Sequence, residues 1–187
     1  MNDAGLILRA LEFAARRHRK QFRKGEDKSP YINHPIQVAS LLANEGGVSD
    51  PVLLAGAILH DVIEDTVDSE EEKNELINEI SELFGDEILS LTLEVTDDKN
   101  LRKVERKRIQ IEDAPTKSDN AKKLKIADKI LNVRDITSDP PVGWHIDRIL
   151  EYFSWAEKVV DGMRGIHPRL EKLFDEAVAE GRRKYIG

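Results

Sequence analysis

The chain has 187 residues, 40% of them hydrophobic and 35% charged, and this composition predicts one globular domain over residues 1–187 and excludes a disordered chain. It contains no cysteine and carries a net charge of −7, which excludes disulfides and thiolate ligands and argues against nucleic acid as a partner. Because neither a secretory leader nor a membrane-length apolar run is present, we expect a cytoplasmic protein that makes no membrane contact.

Apolar residues recur at helical spacing along almost the whole chain. Leu8, Leu11 and Phe22 belong to the apolar face predicted for a first helix, and a second helix begins after Pro35. The pattern predicts an all-α fold, a single helical bundle of about 8–10 helices. Further helices are predicted at residues 50–64, 70–84, 86–96, 101–112, 119–138, 145–163 and 167–182.

The segment "HDVIEDT", residues 60–66, follows the uncharged run "PVLLAGAIL". A helix that is apolar on every side is buried, so His60 and Asp61 are expected in the interior or on the floor of a cleft. On a continuing helix Glu64 lies one turn from His60, and Asp65 one turn from Asp61, so the four side chains would cluster. Carboxylates at a helix C-terminus oppose the helix dipole, and a bound cation removes that conflict. The segment therefore favours a metal site over a solvated helix end.

Two further residues are candidate metal ligands. His34 in "PYINHP" is fixed by the proline that follows it, and Asp128 in "KIADKILN" lies in mid-helix, where a lone acid would be costly. His34, His60, Asp61 and Asp128 offer two imidazoles and two carboxylates, a set that suits Mn²⁺, Fe²⁺, Co²⁺ or Zn²⁺. Each histidine alone is better explained as a core or capping residue, and only the combination favours a metal.

Seven segments, in this order, resemble one family. They are "AARRHRKQFRK", "PYINHP", "LLAGAILHDVIEDT", "EVTDDK", "ERKRIQIEDAP", "KIADKILNVRD" and "GWHIDRILEYFSWA". The sequence resembles the HD-domain phosphohydrolases, and within them the small alarmone hydrolases that are similar to the hydrolase half of bacterial Rel/Spo enzymes. The last four segments are most similar to the free-standing branch that includes the metazoan Spo homologue.

The resemblance implies a guanosine 3′,5′-bis(diphosphate) 3′-pyrophosphohydrolase. Such an enzyme converts (p)ppGpp, the alarmone of the stringent response, into GDP or GTP and pyrophosphate, with Mn²⁺ as the usual metal. Glu64 and Asp65 would orient or deprotonate the attacking water, although Glu64 could instead cap a helix or pair with a lysine. Because no synthetase segment follows residue 187, we expect this chain to degrade the alarmone and not to make it. No oligomeric state is predicted.

The phosphate groups of such a substrate require cations, and residues 16–24 are rich in them. The resemblance places two of these cations on the diphosphate and matches further positions to substrate contacts. Arg148 could equally form a surface salt bridge. The candidate substrate-binding residues are Arg23, Lys24, Lys103, Asn132, Arg148 and Tyr152.

Two other functions stay open at the level of sequence. The same metal site could act on another phosphorylated nucleotide, such as a deoxynucleoside triphosphate or the 2′-phosphate of NADPH. Alternatively, the chain could be an inactive binding module that retains the fold. Two departures from the family bear on the substrate: Leu131 stands where the branch often has an aromatic residue, and residues 68–75 form a long acidic insertion.

Overall fold

The computed structural model describes residues 2–186, which are mostly helical and include no β-strand. The prediction of an all-α fold is confirmed. No helix among these residues has the length and apolarity that crossing a membrane requires. The helices are α1 (Asp3–Arg17), α2 (Asn33–Ser40), α3 (Pro51–Leu59), the single turn α4 (Val62–Asp65), α5 (Glu70–Phe84), α6 (Asp86–Val95), α7 (Lys103–Asp113), α8 (Asp119–Ser138), α9 (Ile146–Asp161) and α10 (Pro168–Ile186).

Several helices begin at the capping residues that the sequence contains. The side chain of Asp50 accepts a hydrogen bond from the Val52 amide at 2.9 Å, and Pro51 occupies the first turn of α3. Ser69 and Ser118 cap α5 and α8 in the same way. Since each cap satisfies an amide that the helix leaves unbonded, the N-terminal ends of these helices are fixed by local chemistry. The predicted bounds of α5, α6 and α8 agree with the structure to within one residue.

The apolar face predicted for the first helix is wrong. Helix α1 ends at Arg17, so Phe22 lies outside it and is 58% exposed, and Leu8 within it is 64% exposed. The buried residues of α1 are Ala10, Phe13 and Ala14. These alanines allow α1 to pack closely on α3, whereas the prediction had placed the larger leucines on the buried face.

The helix predicted over 50–64 is interrupted at the residues of greatest chemical interest. Helix α3 ends at Leu59, and α4 begins at Val62. His60 and Asp61 lie in the turn between the two helices, with φ −96° and ψ −6° at Asp61. The amide of Asp65 still donates to the Asp61 carbonyl at 2.8 Å, so the two acids stay one turn apart as predicted. The interruption places two ionisable side chains at the end of a buried helix.

The Cα positions form two compact units. Unit 1 consists of the chain up to Gln21 together with Pro30–Asn100. Unit 2 consists of Phe22–Ser29 together with the chain from Leu101 onwards. In unit 1 the buried helix α3 packs against α1, α2 and α6, and in unit 2 the long helix α8 packs against α9 and α10. The single domain over 1–187 stays a prediction.

Candidate functional site

Unit 1 brings together two buried histidines and one carboxylate. His34, in the first turn of α2, is 2% exposed, and His60, after α3, is 6% exposed. Their ring centroids are 5.5 Å apart, and one ring nitrogen of each lies within 4.8 Å of the other. Oδ2 of Asp61 lies 3.0 Å from Nε2 of His60 and 3.9 Å from Nε2 of His34. All the predicted ligands that belong to unit 1 therefore converge.

The hydrogen bonding of His60 fits a metal ligand. Its Nδ1 lies 2.8 Å from the carbonyl oxygen of Ala57, which can only accept, so Nδ1 carries a hydrogen. In the neutral imidazole, Nε2 then carries a lone pair and lies 3.0 Å from Oδ2 of Asp61, so two electron-rich atoms are close together and a cation bound by both would relieve their repulsion. Two ligand atoms that each lie about 2.1 Å from one ion, with a ligand–ion–ligand angle of about 90°, are about 3 Å apart, as Nε2 of His60 and Oδ2 of Asp61 are. Both the tautomer and the spacing suit a divalent cation.

Tyr31 supports this cluster, and the sequence prediction did not identify it. Its hydroxyl donates to Oδ2 of Asp61 at 2.7 Å. Its ring centroid lies 5.0 Å from that of His18 and 6.0 Å from that of His34, so the ring is held between two imidazoles. A hydrogen bond of this kind orients a ligating carboxylate. The signal was present in the segment "PYINHP", which holds both Tyr31 and His34.

Glu64 and Asp65 occupy different environments. The amide of Asp97 donates to Oε2 of Glu64 at 3.1 Å. Burial raises the pKa of Glu64 to about 7, the negative charge of Asp97 adds to the rise, and the hydrogen bond from the Asp97 amide opposes it. Asp65 forms an ion pair with Lys99. The protonation of Glu64 therefore changes near neutral pH.

In unit 2, Asp128 is 8% exposed in the middle of α8 and has close polar neighbours. Lys129 Nζ lies 2.9 Å from its Oδ2, and Asn132 Nδ2 donates to its Oδ1 at 2.6 Å. As expected for a buried carboxylate, Asp128 is not alone, because these two side chains offset part of its burial cost. Asn132 also accepts from Arg23 at 3.1 Å, and Arg23 pairs with Asp135 at 2.6 Å. The predicted substrate residues Arg23 and Asn132 thus belong to one polar network along α8.

Three predicted substrate-binding cations gather elsewhere in unit 2. Burial lowers the pKa of Lys103, and the positive charges of Arg148 and Lys24 lower it further. The Arg148 Cζ lies 4.4 Å from the ring centroid of Trp144, and Lys103 Nζ lies 5.8 Å from it. Within residues 2–186 no acidic side chain pairs with these three cations. Like charges held together without a carboxylate make these three residues a candidate site for an anion.

Tyr152 lies among the aromatic residues beside these cations. Its ring centroid is 6.0 Å from that of Trp144 and 5.3 Å from that of Trp155. Burial raises its pKa to about 12, so its hydroxyl keeps its proton at neutral pH and can donate a hydrogen bond. Of the neighbouring aromatic residues Phe153 is fully buried in the core, whereas the two tryptophans and Tyr152 are half-buried.

An all-α fold in which a histidine and a following His-Asp pair converge defines a class of metal-dependent proteins. The sequence profile of the HD domain matches residues 10–142, and the chain belongs to the HD domain family. The family resemblance inferred from the seven segments is confirmed.

Known relatives match almost the whole chain. It is 48% identical over 174 residues to guanosine-3′,5′-bis(diphosphate) 3′-pyrophosphohydrolase MESH1 of Xenopus tropicalis, with 93% of each chain covered. It is 46% identical over 173 residues to the protein of that name from Homo sapiens, with 92% of this chain and 93% of the relative covered. A solved structure of a metazoan ortholog of SpoT, stated to hydrolyze ppGpp and to play a role in starvation responses, superposes with a TM-score of 0.85 at 44% identity, covering 92% of this chain and 93% of that one.

Proposed function

We propose that the chain is a (p)ppGpp 3′-pyrophosphohydrolase, which cleaves the alarmone with water into GDP or GTP and pyrophosphate. Relatives with that activity in their names share 46–48% identity with it over more than nine-tenths of both chains. The observation that carries the proposal is the buried cluster of His34, His60 and Asp61, since these three donors converge as metal ligands must. A cytoplasmic location is proposed because the substrate is a soluble nucleotide.

The proposed ligands of one divalent ion are His34, His60, Asp61 and Asp128, with Mn²⁺ as the metal that the resemblance implies. When bound, the ion supplies Lewis-acid stabilisation of the phosphoryl group and favours ionisation of water. Asp128 is included because its carboxylate is buried in the middle of α8, where ligand oxygens are protected from competing solvent. The amide of Asn132 fixes the carboxylate of Asp128, as the hydroxyl of Tyr31 fixes that of Asp61.

Glu64 and Asp65 are proposed to handle the attacking water. A carboxyl group with a pKa of about 7 can accept a proton and return it at neutral pH, which suits Glu64 to the role of general base. Asp65, held by Lys99, is proposed to orient the water. Water then attacks the phosphorus bonded to the ribose 3′-oxygen, and the bond between that phosphorus and the 3′-oxygen breaks. Pyrophosphate is released, and the 3′-oxygen takes a proton and leaves as the 3′-hydroxyl of GDP or GTP.

Substrate binding is proposed to depend on the cations and aromatic residues of unit 2. Lys24, Lys103 and Arg148 lack acidic partners in the described chain and would neutralise phosphate oxygens. Tyr152 can donate a hydrogen bond from its hydroxyl and offers a ring face to the base or ribose. Arg23 already pairs with Asp135, so it would reach a phosphate only as part of that ion pair.

A substrate panel tests this function. Purified protein with Mn²⁺ would be incubated with ppGpp, pppGpp, NADPH and deoxynucleoside triphosphates, and the products separated by ion-exchange chromatography. We expect GDP and pyrophosphate in equal amounts from ppGpp, GTP and pyrophosphate from pppGpp, and loss of both reactions with a chelator. Turnover of NADPH or a deoxynucleotide without turnover of ppGpp would contradict the proposed substrate. Metal binding without turnover of any compound would identify an inactive binding module.

A further inference from the structure

We propose that Asp139, at the end of α8, is a positioning residue that holds Lys24 where it can bind a substrate phosphate. The proposal rests on the proposed function for the identity of the phosphate. It concerns the segment Phe22–Ser29 of unit 2, called here the basic loop, which carries the cations Arg23, Lys24 and Lys28 and the acids Glu26 and Asp27. Sequence analysis had not identified Asp139.

Two hydrogen bonds attach the basic loop to the residues that follow α8. Oδ1 of Asp139 accepts from the amide of Glu26 at 3.0 Å, and the carbonyl of Lys24 accepts from the amide of Val142 at 3.1 Å. These bonds lie on either side of Gly25. A bond from the Arg23 amide to the Ser29 carbonyl, at 2.8 Å, closes the loop at its base. The backbone of Lys24 is therefore fixed through its own carbonyl and through the neighbouring turn.

Gly25 is required by the closeness of this attachment. A Cβ atom at residue 25 would overlap the carboxylate of Asp139, with both oxygens and Cγ closer than any real Cβ contact. Gly25 is not among the glycines with a positive φ, so a left-handed backbone is not the reason for a glycine there. The lack of a side chain at Gly25 leaves the space that the carboxylate of Asp139 occupies. An added methyl group would displace that carboxylate and break its bond to Glu26.

The basic loop needs such an attachment because it holds the positive charge of Lys24 close to the like charges of Lys103 and Arg148. Burial lowers the pKa of Lys103, and the positive charges of Arg148 and Lys24 lower it further, so Lys24 is repelled by the cations around it. Lys28 adopts a φ of 45°, which costs a non-glycine residue about 1 kcal/mol. The loop also lines an open cavity of about 510 Å³, with Lys24 and Lys28 at its wall. The position of the loop therefore determines where Lys24 and Lys28 could contact an anionic ligand in this cavity.

A double-mutant cycle tests whether Asp139 acts through Lys24. We expect Asp139→Ala to raise the KM for ppGpp about tenfold with kcat within twofold of wild type, as loss of one charged contact would do. In a Lys24→Ala background the same change should have no further effect, because the cation that it positions is already absent. Asp139→Asn keeps an oxygen that accepts from Glu26 and should restore a near-normal KM. Ser138→Ala is the matched control at the adjacent position.

Gly25 provides a second, independent test. Gly25→Ala should raise KM as Asp139→Ala does, and the Gly25→Ala/Asp139→Ala double variant should be no worse than either single variant, because the smaller side chain at 139 leaves room for the added methyl group. Thermal melting of every variant separates this effect from loss of the fold. An equal rise in KM from Asp139→Ala in the wild-type and Lys24→Ala backgrounds would overturn the proposal. A rise in KM for Asp139→Asn as large as that for Asp139→Ala would also overturn it.

Hydrogen exchange distinguishes failure of this inference from failure of the proposed function. The amide of Glu26 should be protected in wild type and in Asp139→Asn and should exchange faster in Asp139→Ala, whatever the substrate. Binding of inorganic pyrophosphate, measured by calorimetry, should weaken in Asp139→Ala alone of these three. If wild type binds pyrophosphate in this pattern without hydrolysing ppGpp, the proposed function falls and the role of Asp139 stands. Unchanged exchange at Glu26 or unchanged pyrophosphate affinity in Asp139→Ala would overturn that role.

Discussion

The hydroxyl of Tyr31 donates at 2.7 Å to the same oxygen of Asp61 that lies 3.0 Å from Nε2 of His60. A carboxylate held in this way needs little reorganisation to bind an ion. We therefore expect Tyr31→Phe to weaken divalent-metal affinity about tenfold, at the lower end of the effect of such supporting contacts. Calorimetric titration of Mn²⁺ into chelator-treated protein measures this change.

Tyr185→Phe is the matched control for Tyr31. Its hydroxyl donates to the carbonyl oxygens of Ile136 at 2.9 Å and Thr137 at 3.2 Å, all within unit 2. This variant should lose a little stability and no metal affinity. Equal affinities in wild type and Tyr31→Phe would show that the tyrosine does not support a ligand.

A second prediction concerns the ligands themselves. His60→Ala and Asp61→Ala should each remove the one ion per chain that we expect in wild type, because each deletes one of the four proposed donors. The fold should survive, since the apolar helix α3 drives the packing of unit 1. Elemental analysis and circular dichroism measure the two outcomes.

His145→Ala serves as control for these variants, because His145 lies exposed before α9. Added Mn²⁺ should raise the melting temperature of wild type and of this control, and should leave that of His60→Ala unchanged. Full metal content in both His60→Ala and Asp61→Ala would refute the assignment.

The helical fold was predictable because its signals are local. Caps such as Asp50 and Ser118 need only neighbouring residues to act, and so does the apolar spacing of α5, which buries every fourth residue from Leu76 to Phe84. The side of α1 that is buried was not predictable in the same way. The buried side depends on how closely another helix approaches. Ala10 and Ala14 are small enough to permit a close approach, but their modest hydrophobicity does not predict that they are buried.

The residues of the candidate site differ in the same way: some were predictable from local sequence, and others depend on contacts between distant segments. His34, His60 and Asp61 were predicted from residue type and sequence context, and the structure brings them together. Tyr31 and Asp139 act through contacts with residues 30 and 113 positions away in sequence, and no periodicity encodes such pairs. The turn at His60 was missed because "LHDVIED" is compatible with a continuous helix.

A third prediction separates chemistry from metal binding. Glu64→Gln keeps an oxygen that can accept from the Asp97 amide but cannot take a proton, so it should retain metal while kcat falls about 10²-fold or more. Asp65→Asn loses the ion pair with Lys99 and should also retain metal. Single-turnover kinetics with metal analysis of the same samples measure both effects. A near-normal rate in Glu64→Gln would reassign this carboxyl to structure.

Glu64 also gives a pH dependence with a defined sign. Its pKa is about 7 in the folded chain against an ordinary value of 4.5, so the folded state binds the proton more tightly. Its contribution to stability is therefore complete below about pH 4.5 and is lost as pH rises through about 7, a change on the order of 3 kcal/mol. In chelator-treated protein, Glu64→Gln should become more stable relative to wild type as pH rises over this range. Parallel melting curves at all pH values would contradict this.

The last prediction contrasts Lys103 with Arg23, two cations assigned to the substrate from sequence. Burial and then the nearby positive charges lower the pKa of Lys103, which means that its charged form is disfavoured. Lys103→Met should therefore leave the melting temperature equal or higher while raising the KM for ppGpp about tenfold. Arg23 instead pairs with Asp135 and bonds to Asn132, so Arg23→Ala should cost about 1 kcal/mol of stability as well as activity.

Salt provides the check on this contrast. Because Lys103 attracts phosphate through charge, the KM of wild type should rise with ionic strength, and that of Lys103→Met should rise less steeply. Arg23→Ala should keep the steep dependence if Arg23 mainly holds its network together, since the unpaired cations remain. Denaturant unfolding and KM measured from low to moderate salt separate the two residues. A stability loss in Lys103→Met as large as in Arg23→Ala would mean that Lys103 also has a structural role, and the anion site would then depend on Lys24 and Arg148.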